Sequence, residues 1–173
     1  MRDFGKDMET FVYGDARIKD LQNKYVFWDI DGTLAPYRFN DHVADPDGTN
    51  NGMSLKEIED FVFLFRAPSM HMQKVLSQSN AKQHIVMGHC QVKKEKSDKE
   101  IWLNIHYPQI KDRLLVYEDK SKADTIVDYC KEHNIELKDV VFVDDVIPFL
   151  REAEGKGIKS FHISSFLDWD YYM

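Results

Sequence analysis

At 173 residues, with 43% hydrophobic and 31% charged residues, the chain has the length and composition of one globular domain and excludes long disorder. A net charge of −7 with no long basic tract makes nucleic acid and anionic membranes poor partners. The longest apolar run, Phe61 to Phe65, is far too short to span a bilayer, and the first residues lack the apolar centre of a secretory signal.

Residues 1 to 23 carry mixed charge and little periodicity. Residues 24–29 form the first predicted strand, apolar from Tyr25 to Trp28, and Gly32 breaks it into a turn. Side chains two apart on an extended chain point the same way, so Asp29 and Asp31 lean into one space at the strand's carboxyl end. Two acids there are costly unless they share a cation or a proton, which is the arrangement for a hard metal ion beside an acid or base.

The stretch Asn40 to Gly52 is rich in Asp, Asn and Gly and reads as loop. Asp45-Pro-Asp47-Gly48 superficially resembles a calcium loop, but Asn50 and Lys56 occupy the positions where Gly and Glu are required. Ser54 and Glu57 form a capping box for a helix with Leu55, Ile58, Val62 and Phe65 on one face. A second helix is predicted from Met70 to Ser79, then a strand from His84 to Met87 that Gly88 ends.

Residues 93–106 are predicted helical, with Ile101, Trp102 and Ile105 inward and the Lys93–Lys96 run outward. Leu114 to Tyr117 forms a third strand. Ser121 caps a helix with the stripe Ala123, Ile126, Val127 and Cys130. Val140 to Val143 is a fourth strand ending in Asp144-Asp145. A helix through Phe149, Leu150 and Ala153 then leads to a fifth strand, Ile158 to Ile163.

Short apolar strands alternating with helices predict an α/β fold, a Rossmann-like doubly wound parallel sheet of about five strands. Ligands of such sheets sit at the carboxyl ends of the strands, where both acidic motifs fall. The motifs meet only if the two strands are neighbours. No repeat or linker divides residues 1–173, so a single domain is expected. Cys90 and Cys130 lie outside any C-x-x-C spacing, which argues for free thiols and a cytoplasmic protein.

Asp29-Ile-Asp31-Gly32-Thr33-Leu34 resembles the first motif of the haloacid dehalogenase-like (HAD-like) phosphatase superfamily, and Phe142-Val-Asp144-Asp145 resembles the fourth. The resemblance spans about residues 24 to 163. It implies that Asp29 is a nucleophile forming an aspartyl phosphate, and that Asp31 is the acid that protonates the leaving group and then activates water. It further implies a Mg²⁺ held by Asp29, the backbone carbonyl of Asp31, and Asp145, with Asp144 supporting Asp145. A lysine before the penultimate helix should neutralise the phosphoryl oxygens. Lys122 fits and Lys120 competes.

On chemical grounds, a carboxylate beside Mg²⁺ stays ionised while its neighbour holds a proton, because like charges at close quarters resist joint ionisation. Gly32 permits the sharp turn, and the loop through Thr33 is expected to offer backbone N–H groups to an anion. The superfamily ends its second strand in Ser or Thr, whereas Met87 or Gly88 stands here, and neither has a hydroxyl. The Gly88 N–H could substitute in part. His89 could reach an anionic substrate or simply be a strand-end histidine.

Chain lengths between motifs leave room for at most a small helical lid, about residues 37 to 66. A small lid implies an accessible substrate or a second copy of the chain, a homo-oligomer, covering the mouth. Tyr37, Arg38 and His42 are placed to touch substrate, and Arg38 suits a phosphate. The aromatic residues Phe166, Trp169, Tyr171 and Tyr172 read as packing.

The expected function is Mg²⁺-dependent hydrolysis of a small phosphomonoester of the nucleotide or sugar phosphate class. Two alternatives are a phosphoprotein phosphatase, and a weakened relative that binds a phosphorylated ligand.

Overall fold

The computed structural model describes residues 18–36, 63–117 and 119–166. The predicted loop at 40–52, the helix opening at Ser54, and Tyr37, Arg38, His42, Trp169, Tyr171 and Tyr172 lie outside them. Of the proposed lid, only residues 63–66 are described, and Phe63–Phe65 is a 3-10 turn.

Five parallel strands form the sheet: β1 (Tyr25–Trp28), β2 (Gln83–Cys90), β3 (Asp112–Tyr117), β4 (Val140–Asp144) and β5 (Lys159–His162), in the order β3-β2-β1-β4-β5. Among the described residues four helices join them: α1 (Met70–Gln78), α2 (Lys93–His106), α3 (Lys122–Glu132) and α4 (Ile147–Gly155). The chain winds outward from β1 to β3, then returns to the other side of β1. The strand order therefore reverses between β1 and β4, the place where such sheets open a ligand crevice.

Alternation along the strands divides the core in two. Val26, Trp28 and Ile30 pack with Val75 and Leu76 of α1 and with Trp102 and Leu103 of α2. Phe27, Met87 and Phe142 pack on the other face with Ala123, Ile126 and Cys130 of α3 and with Leu150 and Ala153 of α4. Both cysteines are free and buried. No helix among the described residues is long and apolar enough to cross a membrane.

Local signals set the ends. Ser69 and Ser121 each accept a backbone N–H of the first helical turn, from Met72 and Asp124. The β1–α1 connection is fastened by Ser69 N donating to Leu34 O and by the Tyr107 hydroxyl donating to the same carbonyl.

Two expectations are corrected. Gly88 does not end β2: the strand runs on to Cys90, with Gly88 opposite Leu115 of β3. Glycine fits closely there, because a Cβ would lie 2.9 Å from Ile30 Cδ1 and 3.2 Å from Leu115 Cδ2, and those side-chain ends would have to shift. In α2, Trp102 is buried but Ile101 and Ile105 are 45% and 61% exposed. The inward face instead carries Asp98, Lys99, Trp102 and Leu103. A charged residue occupies the core-facing stripe, which displaces the apolar pattern that sequence periodicity follows.

His84 ties β1 to the end of α1. Its Nδ1 accepts from Trp28 Nε1 at 3.0 Å, so Nε2 carries the hydrogen and faces Leu76 O at 3.2 Å. Burial pushes its pKa below the ordinary 6.5, so the fold holds the neutral ring. The unfolded chain then binds a proton that the native state refuses, and this contribution to stability is present above about pH 6.5 and lost as pH falls below it. We expect urea denaturation to show a steeper acid loss than in His84→Gln between pH 6.5 and 5, by up to about 1.4 kcal/mol per pH unit. Parallel slopes would show that the ring is protonated in place.

Candidate active site

The site lies where β1 and β4 end side by side. Register pairs Trp28 with Val143, and Asp29 N extends the ladder one step by donating to Val143 O at 2.9 Å. Asp29 thereby lies against the end of β4, beside Asp144. The two acidic motifs, remote in sequence, do meet.

Lys122 opens α3 and is 3% exposed. Its Nζ donates to Asp29 Oδ1 at 2.6 Å and to Asp144 Oδ2 at 2.8 Å. Burial alone would lower its pKa, but the charges of Asp29 and Asp144 outweigh burial and raise it. Lys120 is exposed, and its backbone carbonyl faces His89 Nε2 at 2.8 Å.

Asp144 is fully buried, with Oδ1 accepting from Val146 N at 2.7 Å as the chain turns toward α4. Asp145 is half-buried, and its Oδ1 is buried without a hydrogen-bond partner. Asp29, Asp144 and Asp145 each offer an oxygen within 4.8 Å of the others. Three carboxylates around one space, one of them holding an unsatisfied oxygen, make a donor set that fits a hard divalent cation. Burial, reinforced by Asp144, pushes Asp29 up to about 8, and burial with Asp144 pushes Asp145 up to about 6. A cation held in that space would offset this burial and repulsion and favour the ionised carboxylates.

The Asp31 carboxylate, two residues on, is held by two cations. Its Oδ2 accepts from Lys99 Nζ at 2.6 Å and its Oδ1 from Arg66 Nη1 at 3.0 Å. Burial would raise its pKa, but Lys99 and then Arg66 outweigh burial and hold it below the ordinary carboxylate value. Of these two acids, Asp29 is therefore the one on which a proton is favoured, and Asp31 the one held ionised.

Gly32 has φ 77°, which glycine adopts without strain. Its N–H donates to Ala35 O at 3.0 Å and that of Thr33 to Ile30 O at 3.2 Å, so both are used within the turn and not offered to an anion as expected. The Thr33 hydroxyl is buried without a partner. Met87 faces the α3 core and Gly88 lies against Ile30, so neither strand position presents a polar side chain to the site. The His89 ring is edge-on to Phe149.

Sequence reading missed Lys99 and Arg66. Lys99 carried a faint signal: it lies three residues before Trp102, on that residue's face. Arg66 follows the Phe63–Phe65 turn and is anchored by Trp102 Nε1 donating to its carbonyl at 2.8 Å.

No protein-family model matches the chain, and no curated protein does. Among solved structures, it is similar to the N-terminal part of the protein BF1531 from Bacteroides fragilis, which contains a phosphatase domain and was crystallised with Mg. Identity is 19% and the TM-score 0.50, over 90% of this chain and 41% of that one. At that identity the likeness is one of fold, and this chain spans less than half of that protein's crystallised part.

Metal uptake should depend on pH. If the triad binds Mg²⁺, Asp29 must give up its proton, so affinity rises with pH, by about tenfold per unit between about 6 and 8, and levels off above it. Calorimetric titration in two buffers of different ionisation enthalpy should count about one proton released per ion between pH 6 and 8. Affinity that does not change over that range would remove Asp29 from the ligands.

Proposed function

We propose that the chain is a Mg²⁺-dependent phosphatase of the haloacid dehalogenase-like kind, acting on a small phosphomonoester of the nucleotide or sugar phosphate class. The observation that carries this reading is the convergence of Asp29, Asp144, Asp145 and Lys122 at the β1/β4 switch point. The substrate class rests on the motif resemblance, and the fold likeness to a phosphatase domain agrees with the reaction type.

Asp29, Asp145 and Asp144 would hold the cation, which supplies positive charge against the phosphoryl oxygens and keeps Asp29 ionised. Asp29 attacks phosphorus, the ester P–O bond breaks as protonated Asp31 gives its proton to the leaving oxygen, and an aspartyl phosphate forms as the alcohol leaves. Lys122 adds a second positive charge and fixes the Asp29 carboxylate. Asp31 suits the other half of the cycle: held ionised, it takes a proton from the water that hydrolyses the aspartyl phosphate. That proton is then available for the next leaving alcohol.

One observation favours a second reading. Without a hydroxyl at Met87 or Gly88, one phosphoryl donor is lost, a deficit on the order of 10²–10³ in rate. A phosphate-binding protein with little turnover is the corresponding alternative. Assay of the purified protein with Mg²⁺ and a chromogenic aryl phosphate separates the two. The phosphatase reading expects turnover that chelation abolishes. Metal binding without turnover on aryl phosphates or a panel of phosphorylated metabolites favours binding alone.

A further inference from the structure

We infer that Lys99 is a positioning residue for the proposed reaction, fixing Asp31 in the orientation from which it exchanges protons with the substrate; the inference rests on the phosphatase reading above.

Lys99 is 1% exposed, and its ammonium meets three oxygens, each at 2.6 Å: Asp31 Oδ2, the backbone carbonyl of His89, and Glu95 Oε1. An ammonium has three hydrogens to donate, so this one is fully used and water cannot replace it. The three acceptors belong to different pieces of the fold: the turn after β1, the last stretch of β2, and the first turn of α2. Glu95 is itself fixed, since its Oε2 accepts from Gln91 N at 2.6 Å.

Arg66 takes the other oxygen of Asp31, so the carboxylate is gripped at both ends. Both cations pack on one ring, Lys99 Nζ 5.3 Å and Arg66 Cζ 5.2 Å from the centre of Phe63. Asp31 is two residues from Asp29, and its charge acts on both Asp29 and Asp145, so the grip fixes a carboxylate beside the triad.

Stability alone is a poor reason for this arrangement, because well-packed apolar residues of similar volume often fill such a space as well or better. A catalytic carboxylate gains from it directly, since its rotamer is set before substrate arrives and a misplacement of about 1 Å can cost on the order of 10² in rate.

The test uses Lys99→Met, which keeps the side-chain length and removes the charge, on two substrates: an alkyl phosphate, whose leaving group needs a proton, and an activated aryl phosphate, whose leaving group does not. Comparison of kcat/KM isolates the first chemical step. We expect a loss of about 10²-fold on the alkyl ester and less than about threefold on the aryl ester. Mg²⁺ affinity measured by calorimetry should be unchanged, and Lys99→Arg should recover part of the loss.

Asp31→Asn and Asp31→Asn/Lys99→Met guard against a folding defect, since a fold weakened by loss of Lys99, which also pairs with Glu95, would lower activity in the Asp31→Asn background as well. Losing Lys99 should add less than about threefold once Asp31 is gone. Equal losses on both esters, or the same further loss in the Asp31→Asn background, would overturn the positioning role alone. A wild type that turns over no phosphomonoester overturns the phosphatase reading and the role with it.

Discussion

Asp29→Asn is expected to abolish turnover, lowering kcat on the order of 10⁴-fold or more, while leaving the metal-free protein as stable as the wild type or more so. The amide cannot attack phosphorus, so no aspartyl phosphate forms and the remaining groups have nothing to assist. The stability half follows from burial. Asp29 is 3% exposed beside the fully buried Asp144, and its carboxylate is pushed up to about 8 by desolvation and by that neighbour. A neutral side chain of the same shape removes the repulsion and still leaves Lys122 its contact with Asp144 at 2.8 Å. Groups selected for reaction are often poor for stability, and this substitution separates the two. Turnover on an aryl phosphate and thermal melting in chelator measure both halves. Parallel loss of melting temperature and activity would make Asp29 a structural acid.

Lys122→Met is expected to act the other way on stability. Its ammonium is the buried cation between Asp29 and Asp144, and deleting one partner of a buried ion network leaves uncompensated charge, at a cost of about 3–5 kcal/mol. Denaturation in urea without metal should show that loss as a lower midpoint. Saturating Mg²⁺ should restore part of it, because the ion neutralises the same carboxylates. Activity should not return with stability, since the metal does not replace the ammonium on the phosphoryl oxygens. A change below about 1 kcal/mol would mean that the carboxylates are protonated in the variant and that Lys122 balances no charge in the metal-free fold.

Most of the sheet was legible because its strands are short apolar runs with both faces buried, a pattern that needs no partner to recognise. The residues Tyr25 to Trp28 and Val140 to Val143 state their own positions, and the acids that follow them inherit the carboxyl ends. Lys122 was legible as one of two lysines; geometry separates it from Lys120, which lies two residues earlier and stays exposed.

Elements set by tertiary contact were not legible. Gly88 looked like a strand end and is a strand interior, where Ile30 from the turn after β1 packs close against it. The phase of α2 was read from its isoleucines, yet the face that turns inward is the one that carries Lys99 to Asp31. Repulsion between Asp29 and Asp31 was readable from their spacing. Which of them keeps the proton was not, because Lys99 and Arg66 come from other parts of the chain. Their pairing with Asp31 is the feature of the site least expected from sequence.

The central claim is that two neighbouring strand ends hold a divalent cation beside an attacking oxygen. Crystals soaked in Mg²⁺ at neutral pH or above test it most directly. The account predicts an octahedral ion about 2.0–2.1 Å from an oxygen of Asp29 and one of Asp145, with waters completing the shell and Lys122 still on Asp144. A saturated soak in which those carboxylates instead pair with protein donors, with no ion between them, would contradict it.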